Sequence, residues 1–202
     1  MGVTRIIAGD AGSLPLAVPS AGTRPTSERV RESLFGALES AGLVDGAAVL
    51  DLFAGSGALG LEAVSRGAAS ADLVERAPRA ASVIERNVRA VARSLPGRRL
   101  TVHRSAADAF LRSGASSFDL VFVDPPYDMT DAEVSTTLAL LTPRLTASAV
   151  VVVERATRSG EPDVPAGLVA ERAKKYGDTT LWWLSPADPG AAPHPSAESQ
   201  ST

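Results

Sequence analysis

The sequence has no cysteine, so disulfides, thiolate metal sites and covalent cysteine chemistry are excluded. Histidine is almost as scarce. Only His103 and His194 occur, the second in a Pro-rich tail, which leaves no basis for a histidine triad or a zinc site. The N-terminus has no apolar h-region, and no apolar run reaches membrane-spanning length, so a cytoplasmic protein is expected. An excess of charge of one sign is missing too. A net charge of −3 argues against generic polyanion binding but leaves room for a local basic face. What remains is a chain of 202 residues, 45% of them hydrophobic, long enough for one domain with a sizeable core.

The stretch most informative about chemistry is FDLVFVDPPYD, from Phe118 to Asp128. Leu120 to Val123 are large or β-branched without alternation, which predicts a strand buried on both faces of a parallel sheet. Asp124 then stands at a strand's carboxyl end. Pro125 and Pro126 have no N–H and fix φ, so the chain leaves the sheet rigidly with its carbonyls turned outward. Tyr127 follows with a flat face. A carboxylate, carbonyl acceptors on a stiff turn and an aromatic platform suit the gripping of a planar, amino-bearing group. Taken alone, Pro-Pro is more often a turn that ends a strand, with the tyrosine capping the core.

Along the chain, Arg5 to Ala8 and Leu14 to Val18 predict a small accessory hairpin. Thr26 is placed to cap a helix whose apolar face carries Val30, Leu34 and Leu38. From periodicity alone, Arg24, Thr26 and Arg29 are a capped, solvated helix start. Val49 to Phe53 predict a strand that runs into the loop Asp51-Leu52-Phe53-Ala54-Gly55-Ser56-Gly57-Ala58-Leu59-Gly60, followed by a helix through Arg66 and Gly67. Glycines there permit positive φ and let backbone N–H groups approach a ligand. A second strand, Ala71 to Glu75, ends in an acid twenty positions after Gly55, placed to accept both hydroxyls of a ribose.

Pro78 to Arg93 predict an amphipathic helix, with Val83, Ile84, Val88 and Val91 apolar and Arg79, Arg86, Arg89 and Arg93 recurring at helical spacing. That stripe fits a solvated face and a nucleic-acid surface equally. Leu100 to His103 form a third strand in which His103 is a packed residue. Ala132 to Leu141 predict a helix and Ser148 to Glu154 a fifth strand. Leu168 to Tyr176 and Thr179 to Leu184 flank Gly177-Asp178 as a closing antiparallel hairpin. From Pro186 onward the chain is too poor in large apolar groups to pack. The expected division is a hairpin extension over 1–22, one domain over 23–184 and a disordered tail over 185–202.

Strand and helix alternate from Val49 to Glu154, which predicts a doubly wound α/β sheet with its ligand crevice at the strands' carboxyl ends. The glycine loop, Glu75 and Asp124 all fall on that edge. Two cofactor classes compete for it. In a nicotinamide-binding fold the first glycine follows the strand directly, without a strand-end acid four positions earlier. Here Asp51 precedes, and the order DxFxGxG, strand-end Glu, DPPY resembles S-adenosylmethionine-dependent methyltransferases of the amino-group type. A closer resemblance runs from Arg5 to Leu184, through RIIAG, TRPTSERVRESLF, LDLFAGSGALGLEAVSRGA, FVDPPY and YGDTTL. In these motifs the chain resembles the bacterial small-subunit ribosomal RNA guanine-N2 methyltransferases of the RsmD type.

That resemblance implies a Rossmann-like class I fold with a mostly parallel seven-stranded sheet, and S-adenosylmethionine as cofactor without a metal. It assigns Asp51 and the backbone at Gly55 and Gly57 to the methionine part, with Phe53 in the same site. Glu75 would hold the ribose, Arg76 would lie beside the adenine, and Ala106 and Ala107 would contact its ring. Where related enzymes carry an acid for the adenine amino group, this chain has Ala106, with Asp108 two positions on. Asp124, Pro125, Pro126 and Tyr127 would form the target-base site. Arg24, Thr26, Arg29 and the stripe Arg79, Arg86, Arg89 and Arg93 would meet the substrate. The implied partner is ribosomal RNA in an assembled or partly assembled small subunit, met by a monomer. Within the class, adenine N6 or protein-amide methylation uses a similar loop. Outside it stands a nicotinamide-dependent redox or nucleotide-binding protein.

Overall fold

The structure, a computed structural model, describes residues 2–19 and 27–187. It opens with a two-stranded antiparallel hairpin, β1 (Gly2–Arg5) and β2 (Pro15–Val18). The rest alternates: α1 (Glu28–Ser40), β3 (Ala48–Asp51), α2 (Ala58–Ser65), β4 (Ser70–Val74), α3 (Pro78–Ser94), β5 (Arg99–His103), α4 (Ala107–Ser113), β6 (Phe118–Val123), α5 (Asp131–Leu141) and β7 (Leu145–Ala156). Strands β8 (Leu168–Tyr176) and β9 (Thr179–Pro186) close the domain. The seven-stranded sheet has the order β5-β4-β3-β6-β7-β9-β8. Its first five strands are parallel, and β9 and β8 are antiparallel.

The middle of the sheet is buried on both faces. Val49, Leu120 and Phe122 enter one core with α1, α2 and α3, while Leu50, Val121 and Val123 enter a second core with α4 and α5. Successive residues of a strand point to opposite faces, so an unbroken apolar run is what two cores require. Chain order reverses between β3 and β6, and at such a switch point the connecting loops part and leave a crevice.

Several elements differ from expectation. The first hairpin strand ends at Arg5, because the N–H groups of Ile7 and Ala8 turn away from strand pairing to the Glu62 carboxylate, at 2.7 and 3.0 Å. Nor is the hairpin an accessory. Ile6 and Leu16 are fully buried in the first core. Asn87 of α3 accepts from Ala17 N and donates to Ala17 O, both at 2.9 Å, and donates as well to Ser56 O in the glycine loop. Helix α1 is capped by Ser27, whose side chain accepts from Val30 N; Arg24 and Thr26 lie outside the described residues. Helix α4, with only two buried residues, was not anticipated. At the other end Ser185 and Pro186 pair with Val169 and Leu168, so the closing strand runs past Leu184. Residues 188–202 lie outside the described residues.

Candidate active site

A cavity of about 590 Å³ opens above the carboxyl ends of β3, β4 and β6, within the size range of small-molecule sites. Strand β3 delivers Asp51, which is 1% exposed. Its Oδ2 accepts from Gly60 N at 3.0 Å. Burial, helped by the nearby Glu75 charge, pushes its carboxyl up to about 7 against the opposing hydrogen bond from Gly60. Glycine at 60 lets α2 come this close to the sheet, since a Cβ there would stand 2.4 Å from the end of the Leu73 side chain and 3.3 Å from the Asp51 Cβ. A buried carboxylate with one hydrogen bond at a cavity wall is well matched to a cationic ligand group.

Glu75, just past β4, bridges two backbones. Its Oε2 accepts from Gly55 N at 3.1 Å and its Oε1 from Ala77 N at 2.7 Å. The second strand's acid thus holds the glycine loop in place, and each oxygen retains a lone pair for a ligand hydroxyl. Phe53, Gly55, Arg76, Ala106 and Ala107 all line the cavity as expected. Asp108 lines it too, with Oδ1 accepting from Thr137 of α5 at 3.0 Å. Gly57 does not. It takes a left-handed φ of 79° at the start of α2, and a Cβ there would meet Ile84 at 3.2 Å. Its glycine serves the turn and the approach of α3.

The opposite wall is Asp124, Pro125, Pro126 and Tyr127. Asp124 is half-buried and Pro125 buried. The Pro126 carbonyl closes a turn by accepting from Met129 N at 3.0 Å. Tyr127 is 64% exposed, so it does not cap the core; it stands as an open aromatic face at the cavity rim.

Among the described residues, the arginines expected to meet substrate lie outside the cavity. Arg29 is exposed on α1, and Arg79, Arg86, Arg89 and Arg93 are exposed along α3; none lines the cavity. The arginine of α1 that does so is Arg31, 1% exposed. Its Nη2 donates to Thr4 Oγ1 and to the Arg5 carbonyl, and its Nε stands 3.7 Å from Glu62. Burial lowers its pKa from the ordinary arginine value, opposed by Glu62 and Glu28. Glu62 in turn binds Arg66 at 2.7 Å, and Arg66 reaches Glu39. This network joins the hairpin to α1 and α2 directly behind the cavity. Helix α5 contributes Ala132, Glu133 and Thr136 to the lining, and it starts in a capping box between Thr130 and Glu133. The Thr130 hydrogen bonds hold the Glu133 carboxyl below its ordinary value. That box is legible as Thr-Asp-Ala-Glu, whereas nothing in the sequence marks Arg31 as buried.

The comparisons with known proteins agree with this geometry. The family described as conserved hypothetical protein 95 matches residues 4–185. The ribosomal RNA small subunit methyltransferase D of Escherichia coli K12 is 39% identical over 177 residues, which cover 87% of this chain and 86% of that one. Its counterpart in Haemophilus influenzae is 35% identical over 157 residues, covering 76% and 79%. A solved Escherichia coli structure described as a methyltransferase, yhhF, superimposes with a TM-score of 0.80 at 35% identity over 92% of this chain and 98% of its own. The chain therefore belongs to the conserved hypothetical protein 95 family, that of the small-subunit ribosomal RNA methyltransferases D.

Proposed function

We propose that the protein transfers a methyl group from S-adenosylmethionine to the exocyclic N2 amine of a guanine in small-subunit ribosomal RNA. One observation carries the reading: a single cavity has Asp51 and Glu75 on one wall and Asp124 to Tyr127 on the other. When bound, S-adenosylmethionine supplies an electrophilic methyl group on a sulfonium. Asp51 suits its ammonium, since a buried carboxyl raised to about 7 is relieved by a cationic partner. Glu75 suits the ribose hydroxyls, and Ala106 and Ala107 leave flat space for a purine.

The protein's remaining task is to orient a poor nucleophile, because the lone pair of guanine N2 is delocalised into the ring. Asp124 and the Pro125 carbonyl accept the two N–H groups of the amine, which lets the nitrogen pyramidalise and aim its lone pair. Tyr127 stacks on the base once it has left its own stack. Asp124 need not be a strong base, since the proton can leave after transfer. The substrate on this reading is an assembled or partly assembled subunit met by a monomer in the cytoplasm. Among the described residues no helix is long and apolar enough to cross a membrane.

The test is transfer of labelled methyl to unmethylated small subunits followed by nucleoside analysis. Label in N2-methylguanosine is expected. Label in N6-methyladenosine or in ribosomal protein would overturn the guanine assignment.

A further inference from the structure

A second cavity, of about 310 Å³, adjoins the first, and Tyr127 lines both. Its other walls are Ala156, Thr157, Arg158, Asp178 and Thr179. The topology explains its position. Strand β7 runs parallel to β6, and its last residue, Ala156, pairs with Thr179 at the start of antiparallel β9. The end of β7 and the start of β9 therefore lie on the same sheet edge as Asp124, one and two strands across. Adjacent strands are about 4.8 Å apart, so the second cavity sits roughly 10 Å along that edge from the target wall.

The floor of this cavity is braced. Thr157 N donates to Asp178 O at 2.8 Å, and Thr157 Oγ1 lies 3.1 Å from Gly177 O and 3.0 Å from Thr180 Oγ1. Its rim carries one cation, Arg158, and one carboxylate, Asp178, both exposed and, among the described residues, neither engaged in an ion pair. A positive charge, an acceptor and two threonines beside an exposed ring are too polar a set for an apolar side chain. They fit a nucleotide, which presents a phosphate, a donor-bearing base edge and a π-face.

Resting on the guanine-N2 reading, we propose that this second cavity binds the RNA nucleotide adjoining the target, with Tyr127 between the two bases. Arg158 takes the phosphate, and Asp178 accepts from an amino group on the neighbour's base edge. A target turned out of its stack remains tied to its neighbours by single phosphodiester links, and a braced site for one neighbour fixes which base enters the first cavity. Phosphate contacts set position and base contacts set sequence preference, so the two side chains have separable effects.

The experiment measures KM and kcat on unmethylated subunits, affinity for an RNA fragment carrying the target loop, and affinity for S-adenosylhomocysteine. It compares wild type, Arg158→Ala and Asp178→Ala, and replaces each nucleotide flanking the target with uridine in turn. Arg158→Ala should raise KM and weaken fragment binding about tenfold, leaving kcat and S-adenosylhomocysteine affinity unchanged. One uridine substitution should weaken fragment binding to wild type and make no difference to Asp178→Ala, which has no side-chain acceptor. Wild-type transfer to guanine N2 checks the reading beneath the proposal. With that in hand, unchanged KM in both variants overturns the second site. A rise in KM on subunits without weaker fragment binding would make the cavity a contact for ribosomal protein, and overturns it too.

Discussion

The two walls of the main cavity are built on opposite plans. On the wall proposed for the cofactor, Asp51 is buried against Gly60 N, and Glu75 is locked between Gly55 N and Ala77 N. On the wall proposed for the target base, Tyr127 is 64% exposed, and Pro126 and Asp128 are exposed as well. A small ligand of fixed shape gains from donors and acceptors set in advance, because nothing has to be ordered when it binds. A base presented by a large RNA must swing in from outside, so its site needs an open edge made stiff by other means. Two consecutive prolines provide stiffness without a hydrogen-bond ladder.

If the walls are separate in function, single substitutions should split binding from turnover. The largest effect is expected from Asp124→Ala, which should lower methyl transfer at least about a hundredfold, the scale for removing one group that stabilises a transition state. S-adenosylhomocysteine affinity should stay within a few-fold by calorimetry. Parallel losses of both would merge the walls and move Asp124 into the cofactor site. Next in size is Glu75→Ala, which should weaken the same ligand by about 1–3 kcal/mol, since charge-assisted hydrogen bonds are lost. Part of that loss comes from releasing the Gly55 and Ala77 N–H groups. Glu75→Gln, which retains an acceptor, should recover some of it.

The contrast between the walls also shows which features could be read from sequence. Asp51, Glu75 and Asp124 were legible because each closes an apolar strand, and a parallel sheet puts all such ends on one edge. The hairpin's first strand was not, because its ending depends on Glu62, more than fifty residues away in sequence. Arg31 was not singled out for the same reason: an arginine one turn into a capped helix is usually solvated. Only the tertiary meeting of α1, α2 and the hairpin buries it. The ligand role of Gly57 came from the family resemblance alone, and the sequence did not show that the space its missing Cβ leaves is closed by Ile84.

A smaller effect concerns Asp51 and pH. Its folded carboxyl titrates near 7 where the ordinary value is 3.8, so the empty native protein holds a proton that the unfolded chain releases. Its stability contribution is therefore complete below about pH 4 and is lost as pH rises towards 7 and beyond. Asp51→Asn should melt higher than wild type at pH 8, with the gap closing below pH 4 in a thermal scan. An ammonium pairs with the ionised form alone. S-adenosylhomocysteine should accordingly bind more tightly as pH rises, by about tenfold between pH 6 and pH 8, and level off above. A flat profile in wild type would remove Asp51 from the ammonium site.

The smallest effect is expected outside both walls, on α3. Its arginines are exposed and none reaches the cavity, so any role is in docking the particle. Phosphate neutralisation makes affinity fall with salt, and each contact removed lowers the slope by about one. Arg89→Glu with Arg93→Glu should weaken binding to subunits a few-fold and reduce the salt dependence by about two, leaving cofactor affinity unchanged. With a net charge of −3, the protein should bind bare RNA weakly at physiological salt and methylate unmethylated subunits better than the naked transcript. Equal rates on the two substrates would refute the particle preference. An unaltered salt slope in the double variant would return the stripe to a solvated helix face, leaving recognition to the target wall and the cavity beside it.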